Sequence, residues 1–298
     1  MTIINYPSDG LYPELIALFR VVASVGEIDK ESAIKFCTCG ATSAESLTRL
    51  RAISNRWTAL GLFVVANDKT RVNQRFEKRG RESLEEYTTR LPSFCRSVLF
   101  EEQNCQPLWG KSPGTSADFV RGAAWLMSQN IYGLPSTRIG IEPVESEQVG
   151  VEKSIFTNDV RWNGIRHWMR YLGFATGVSG SFQIDPTRAV KAELAHIFGD
   201  RRKITGKEFL DALAVRLPIL DFGQYRKEVE ESLNAMTWNK PAVGHLSMSL
   251  SLALRRLSLD NVIRLEGTAD AGSSYRLTGM NYRTWGGFES VSWMGTNA

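Results

Sequence analysis

Three times in 298 residues, a helix with basic residues near its end runs into a two-stranded ribbon. The first copy is NRWTALGLFVVANDKTRV, beginning at Asn55. The second is RHWMRYLGFATGVSGSFQID, from Arg166 to Asp185. The third is LRRLSLDNVIRLEGTADAGSSYRLTG, beginning at Leu254. In each, apolar residues at helical spacing give way to a strand with a period of two. A Leu-Gly step or an equivalent marks the switch, because glycine reaches the positive φ that ends a helix. A pattern repeated about every 100 residues constrains the fold to a string of similar modules.

Residues 1–75 form the first module. Leu15, Ile16, Leu18, Phe19 and Val22 keep helical spacing. Asp29 suits the N-cap of KESAIKFC, and Ser43 that of a helix through Leu47, Leu50, Ile53, Trp57 and Leu60. Asn67-Asp68 then turns one strand into the next. Three helices followed by a hairpin read as a winged helix-turn-helix. Residues 76–114 read as a polar helical connector, broken by QPLWGKSPGTS.

The second module spans 115–185. Its first helix begins near Ser116, with Phe119, Val120, Ala123, Leu126 and Met127 inward. YGLPSTRIGIEPVES reads as a loop, followed by a short helix around 147–156 and the second ribbon-linked helix. The third module, 186–298, is larger. Pro186 suits a first helical turn, with Leu194, Ile197 and Phe198 inward. Thr205 suits the cap of GKEFLDALAVRL, and GQYRKEVEESLNAM is a further helix. From Leu246 to Leu250 the alternation also suits a strand, but Leu246, Leu250, Leu254 and Leu257 keep helical spacing over a longer window. The expected fold class is mainly α with small β-hairpin wings, as tandem winged helix-turn-helix modules.

Enzymatic chemistry finds little support. The three histidines, His167, His196 and His245, are far apart in sequence. No G-x-S-x-G elbow and no G-x-x-x-x-G-K-[ST] loop occurs. Cys37 and Cys39 form the one close cysteine pair, whereas a zinc ribbon needs two such pairs or histidines at ligand spacing. Glu142, Glu145 and Glu147 read as a solvated acidic loop. The expectation is a protein with no catalytic residues, no metal and no cofactor. Without a basic-then-apolar leader or a long apolar run, a cytoplasmic location is expected and the cysteines read as free thiols.

The net charge of +4 permits contact with nucleic acid without demanding it. The local pattern says more. Arg49 and Arg56 lie on the first ribbon-linked helix, with Lys69 and Arg71 on its wing. Arg161, Asn163, Arg166, His167 and Arg170 lie on the second, and Arg255 and Arg256 on the third, which also carries Ser247, Ser249 and Ser251. Arg, Asn, His and Ser on a helix suit phosphates and base edges, so double-stranded DNA is the expected partner. The same cations at helix C-termini also complement the helix dipole. Trp57 and Trp168 read as core anchors beneath the wings.

INYPSDGL, NRWTALGLF, WNGIRHWMRYLGFA, FQIDPTRAV and the last ribbon segment together resemble the DpdG proteins, over nearly the whole chain. Those are encoded in bacterial clusters that insert 7-deazaguanine bases into DNA and restrict DNA lacking them. The resemblance implies a subunit of an anti-phage restriction system, with helicase and nuclease activities on partner proteins. It supplies no catalytic residues. Three roles follow: a non-catalytic DNA-binding or adaptor subunit, a protein–protein scaffold, or a transcriptional regulator.

Overall fold

A computed structural model describes residues 2–5, 12–38, 43–177, 181–267 and 275–295. The protein is mainly helical with small antiparallel sheets. Its contacts cluster into two compact units, residues 1–119 with 163–172, and residues 120–162 with 173–298.

The first unit opens with α1 (Tyr12–Val25), β1 (Ile28–Asp29), α2 (Lys30–Cys37) and α3 (Ala44–Ala59). The expected caps form. Asp29 accepts the Ser32 N–H at 2.9 Å, and Ser43 accepts that of Ser46 at 3.2 Å. Strands β2 (Phe63–Ala66) and β3 (Lys69–Val72) follow. Asn67 and Asp68 both take positive φ, 49° and 60°, which is the type I′ geometry that matches strand twist in a two-residue hairpin. Strand β1 joins the other edge of β3, giving the order β1-β3-β2.

Residues 76–114 are helical as expected but are not a polar connector. They form α4 (Leu84–Thr89), α5 (Leu91–Leu99) and α6 (Glu102–Cys105), and Leu91, Phe94, Cys95, Val98 and Leu99 are buried. Phe94 packs on Phe76 and Tyr87, and Tyr87 on Phe19 of α1, with ring centroids 4.8, 5.8 and 5.0 Å apart. The other charged residues of this stretch are exposed or half-buried, but Arg96 is buried and donates to the Leu172 carbonyl at 2.9 Å.

The next elements are α7 (Ala117–Ser128), α8 (Arg138–Val149) and α9 (Asp159–Tyr171). Phe119, Val120, Ala123, Leu126 and Met127 are buried. The expected loop over 132–146 is helical from Arg138, despite Pro143 inside it. Thr137 caps this helix through the Gly140 N–H, and Ile141, Glu145, Gln148 and Val149 are its buried residues. Glu145 is therefore no solvated loop acid. It is 1% exposed, and its carboxylate accepts the Ile155 and Phe156 N–H groups at 3.0 and 2.9 Å. Strands β4 (Ala175–Thr176) and β5 (Gln183–Ile184) pair after α9; the tip of that ribbon, 178–180, lies outside the described residues.

The remainder comprises α10 (Thr187–Phe198), β6 (Lys203–Thr205), α11 (Gly206–Arg216), α12 (Gln224–Glu231), α13 (Met248–Leu259), β7 (Ile263–Glu266), β8 (Tyr275–Thr278), β9 (Thr284–Phe288) and β10 (Ser290–Trp293). Thr205 and Glu208 form a capping box on α11. The stretch from Met248 is helical, with Ser247 at its N-cap. The third ribbon differs from expectation. β7 does not fold back onto β8 but pairs with β10, while β8 pairs with β9. The resulting order, β6-β10-β7, repeats that of the first sheet, β1-β3-β2, with the β8–β9 hairpin inserted between the last two strands.

One local device ends all three ribbon-linked helices. Gly61, Gly173 and Asn261 take φ of 90°, 86° and 54° immediately after α3, α9 and α13. After α3, the Leu62 and Gly61 N–H groups bond to the Trp57 and Thr58 carbonyls at 2.9 and 3.0 Å. After α13, those of Val262 and Asn261 bond to Leu257 and Ser258 at 2.9 and 3.2 Å. These are Schellman pairs. Asn261 replaces glycine because its short polar side chain tolerates the left-handed region.

Candidate nucleic-acid interface

The structure sorts the candidate cations by burial and by partner. Arg49, Arg56, Lys69, Arg71, Asn163, Arg166, His167 and Arg170 belong to the first unit, and Arg161, Arg255 and Arg256 to the second. Arg56 is withdrawn from the surface at 3% exposure, on the buried face of α3 beside Trp57, so it cannot reach a phosphate from there. Its sequence position among polar residues gave no sign of this, because the long side chain lies along the core side of the helix.

Arg49 is half-buried and lines a cavity with Glu14, Cys37 and Thr38. Lys69 is exposed on β3. Arg71 is half-buried and paired with Glu27 at 3.5 Å. On α3, Arg51 makes a forked bond to Glu31, with the shortest contact 2.6 Å. These pairs offset much of the positive charge around the first hairpin.

Helix α9 is arranged differently. Asn163 and His167 are exposed one turn apart, and Arg166 and Arg170 are half-buried one turn apart on a neighbouring row. Burial and the adjacent Arg166 charge push the Arg170 guanidinium below its ordinary pKa. Arg161 is half-buried, and its N–H bonds to the Asn158 side chain at 3.0 Å, so its backbone lies in the first turn of α9. Trp168 packs against Trp57, with ring centroids 5.3 Å apart, so the two anchors share one core.

Helix α13 offers only its C-terminal end. Arg255 lies 4.8 Å over the Trp285 ring, and Arg256 pairs with Asp185. Trp285 also meets Tyr132 edge-on at 6.3 Å. Neither aromatic stood out in the sequence, since nothing there signalled that β9 returns to this helix. The serines of α13 cannot read base edges. Ser247, Ser249 and Ser251 are buried, and their hydroxyls bond to Asp221 Oδ2 at 2.6 Å, the Met127 carbonyl at 2.7 Å and the Leu246 carbonyl at 3.5 Å.

The Ser247–Asp221 contact is a helix cap and not a nucleophile with its base. Asp221 takes both the hydroxyl and the N–H of Ser247, whose oxygen accepts the Leu250 N–H at 3.3 Å. His245 instead faces the Thr278 hydroxyl at 3.5 Å. Among the described residues, no group of three or more His, Cys, Asp or Glu side chains could hold a metal ion. Cys37, Cys95 and Cys105 are thiols outside any disulfide, and Cys39 lies outside the described residues. Among the described residues, no helix is long and apolar enough to cross a membrane.

Fold and surface together define a mainly helical protein with small antiparallel sheets whose clearest concentration of basic and polar side chains is on α9. The sequence profile of the DpdG-like proteins matches residues 1–271, and the chain belongs to that family, as the sequence resemblance indicated. No curated protein and no solved structure matches the chain.

Proposed function

We propose that this protein is a non-catalytic, DNA-contacting adaptor subunit of a bacterial DNA modification and restriction system, working in the cytoplasm beside helicase and nuclease partners. Membership of the DpdG-like family supports the modification-system setting. The shared strand orders β1-β3-β2 and β6-β10-β7, in each of which one strand precedes and two follow a ribbon-linked helix, support a reading as winged helix-turn-helix modules.

The observation that carries DNA contact is the Arg166–Arg170 pair on α9, flanked by exposed Asn163 and His167. Contact there is mostly with phosphate, so affinity falls as salt rises. Fluorescence anisotropy on two unrelated duplexes at several salt concentrations tests this. The variant Arg166→Gln/Arg170→Gln should weaken binding about equally on both duplexes and flatten the log–log salt slope by roughly one or two units. Undetectable binding at low salt, or an unchanged slope, favours the second reading, a protein scaffold. The Arg51–Glu31 and Arg71–Glu27 pairs already lean that way for the first module. A single palindromic site bound far above all others would instead support a regulator.

A further inference from the structure

The second unit holds a cavity of about 260 Å³ beside the start of α13. Asn130, Asn239, Lys240, His245 and Tyr282 line it, over an apolar wall that includes Leu246 and Met248. Three features limit what it can take. No carboxylate is among its lining residues, whereas a lysine and a histidine are, so the cavity favours an anion. The end of α13 is not the source of that preference, since Asp221 already occupies the Ser247 N–H and hydroxyl. The remaining donors are side chains. The Asn130 oxygen takes the Tyr132 N–H at 3.2 Å, so Asn130 contributes its NH₂ group; His245 engages Thr278 through Nδ1, which leaves Nε2.

The second feature is mixed polarity. Carboxamides donate and accept at adjacent atoms, which suits the edge of a heterocycle, and the apolar wall suits its face. The volume lies just under the roughly 300 Å³ at which pockets for drug-sized ligands begin, which limits the guest to one small unit.

The third feature is strain. Asn281 and Tyr282 occupy the left-handed region in succession, at φ 55° and 60°, in a tight turn closed by the Arg283 N–H on the Met280 carbonyl at 3.3 Å. Asparagine is at ease there and tyrosine is not. Tyr282 is also exposed, so burial of its ring does not explain its presence. A bulky residue kept in an unfavourable backbone state at the rim of a cavity is a mark of function.

We propose that this cavity binds a single nucleoside 5′-monophosphate unit: the base against Leu246 and Met248 with its edge on the asparagines, the phosphate at Lys240 and His245, and Tyr282 stacking at the mouth. The unit is either a free nucleotide or one displaced from a DNA strand. This does not rest on the α9 reading.

Isothermal titration of the full chain with the four deoxynucleoside 5′-monophosphates, the matching nucleosides and inorganic phosphate tests it. A parallel arm compares a blunt duplex with the same duplex carrying one unpaired nucleotide. Saturable binding of at least one monophosphate, or preference for the duplex with the unpaired nucleotide, is expected; the first assigns a free ligand and the second a strand. Lys240→Ala and Asn239→Ala should each weaken that binding at least tenfold. Tyr282→Gly should weaken it while raising the unfolding midpoint, because glycine relieves the strain, and a merely structural tyrosine would not separate the two. Phosphate binding as well as the monophosphates, no binding in either arm, or Tyr282→Gly leaving affinity unchanged would overturn the proposal.

Discussion

Trp57 and Trp168 lie in different ribbon-linked helices, yet they form one contact. They are 1% and 2% exposed, with ring centroids 5.3 Å apart and an interplanar angle of 48°. Truncating a buried tryptophan to alanine costs roughly 3–5 kcal/mol, so two independent sites would together lose about 6–10 kcal/mol. The rings touch, so the second truncation removes contacts that the first has already forfeited. An aromatic pair contributes about 0.5–1.5 kcal/mol beyond its burial, and the double variant should fall short of additivity by at least that amount. Trp168 also keeps two edge-on partners, Tyr12 at 6.3 Å and Tyr171 at 5.9 Å, so it should be the costlier single change. Urea unfolding of the wild type, both single variants and the double variant, followed by circular dichroism, gives the four corners of the cycle. Costs that add to within about 0.3–0.5 kcal/mol would mean that the rings sit in separate cores, and the reasoning would fail. A Trp57→Ala cost below about 1 kcal/mol would refute its burial outright.

Burial pushes the Glu145 carboxyl from 4.5 up to about 7, winning against the Phe156 and Ile155 N–H groups that favour its charged form. A raised folded pKa means the folded state holds the proton longer, so this stability is fully present below about pH 4.5 and is lost as pH rises through 7. The change is of order 3 kcal/mol, and Glu145→Gln should flatten the unfolding midpoint across that window; an equally steep profile in the variant would exclude Glu145 as its source. Gly61→Ala should cost about 1–2 kcal/mol from backbone strain alone, since the added Cβ would meet only Arg75 at 3.5 Å. Gly173→Ala should cost more in the same denaturation assay, because its Cβ would come 2.9 Å from the Ala189 nitrogen, and Asn261→Gly should be nearly neutral. Asp221→Ala should cost about 1–3 kcal/mol by stripping the buried acceptor from the Ser247 N–H and hydroxyl; thermal unfolding within 1 °C of wild type would contradict that role.

Local chemistry was legible in the sequence wherever the cause was local. Asp29, Ser43 and Thr205 cap helices because an oxygen and an N–H two or three residues apart need nothing else. The Asn67-Asp68 turn and the glycine-like helix ends follow from backbone sterics alone. What depended on distant packing was hidden. Pro143 argued against α8, since an interior proline costs about 3 kcal/mol. The burial of Ile141, Glu145, Gln148 and Val149 outweighs it. Arg56 and the three serines of α13 read as surface groups because polarity is local information, whereas the partners that satisfy them, such as Asp221 and the Met127 carbonyl, are 26 and 122 residues away. Alternation located β7 and β8 but could not name their partners, because a strand's period fixes its faces and not its neighbour.

The two three-stranded sheets show how that neighbour is chosen. In the first, Ala66 and Lys69 pair across a two-residue turn. In the second, the corresponding pair, Glu266 and Ser290, is 24 residues apart. Closing so long a loop costs roughly 0.6 kcal/mol for each doubling of length, or about 2 kcal/mol more than the hairpin. Ile204, Ile263 and Val291 are buried in that sheet, at about 1.5–3 kcal/mol each, which is enough to offset the closure. The direct turn from β7 back to its neighbour is thereby dispensable, and the stretch between β7 and β10 is released to form the β8–β9 hairpin. That hairpin and its turn supply Thr278 and Tyr282 to the cavity beside α13, and Trp285 to Arg255. The same strand order therefore yields a short hairpin in one unit and a walled pocket in the other, and the difference lies in where the closure cost is met.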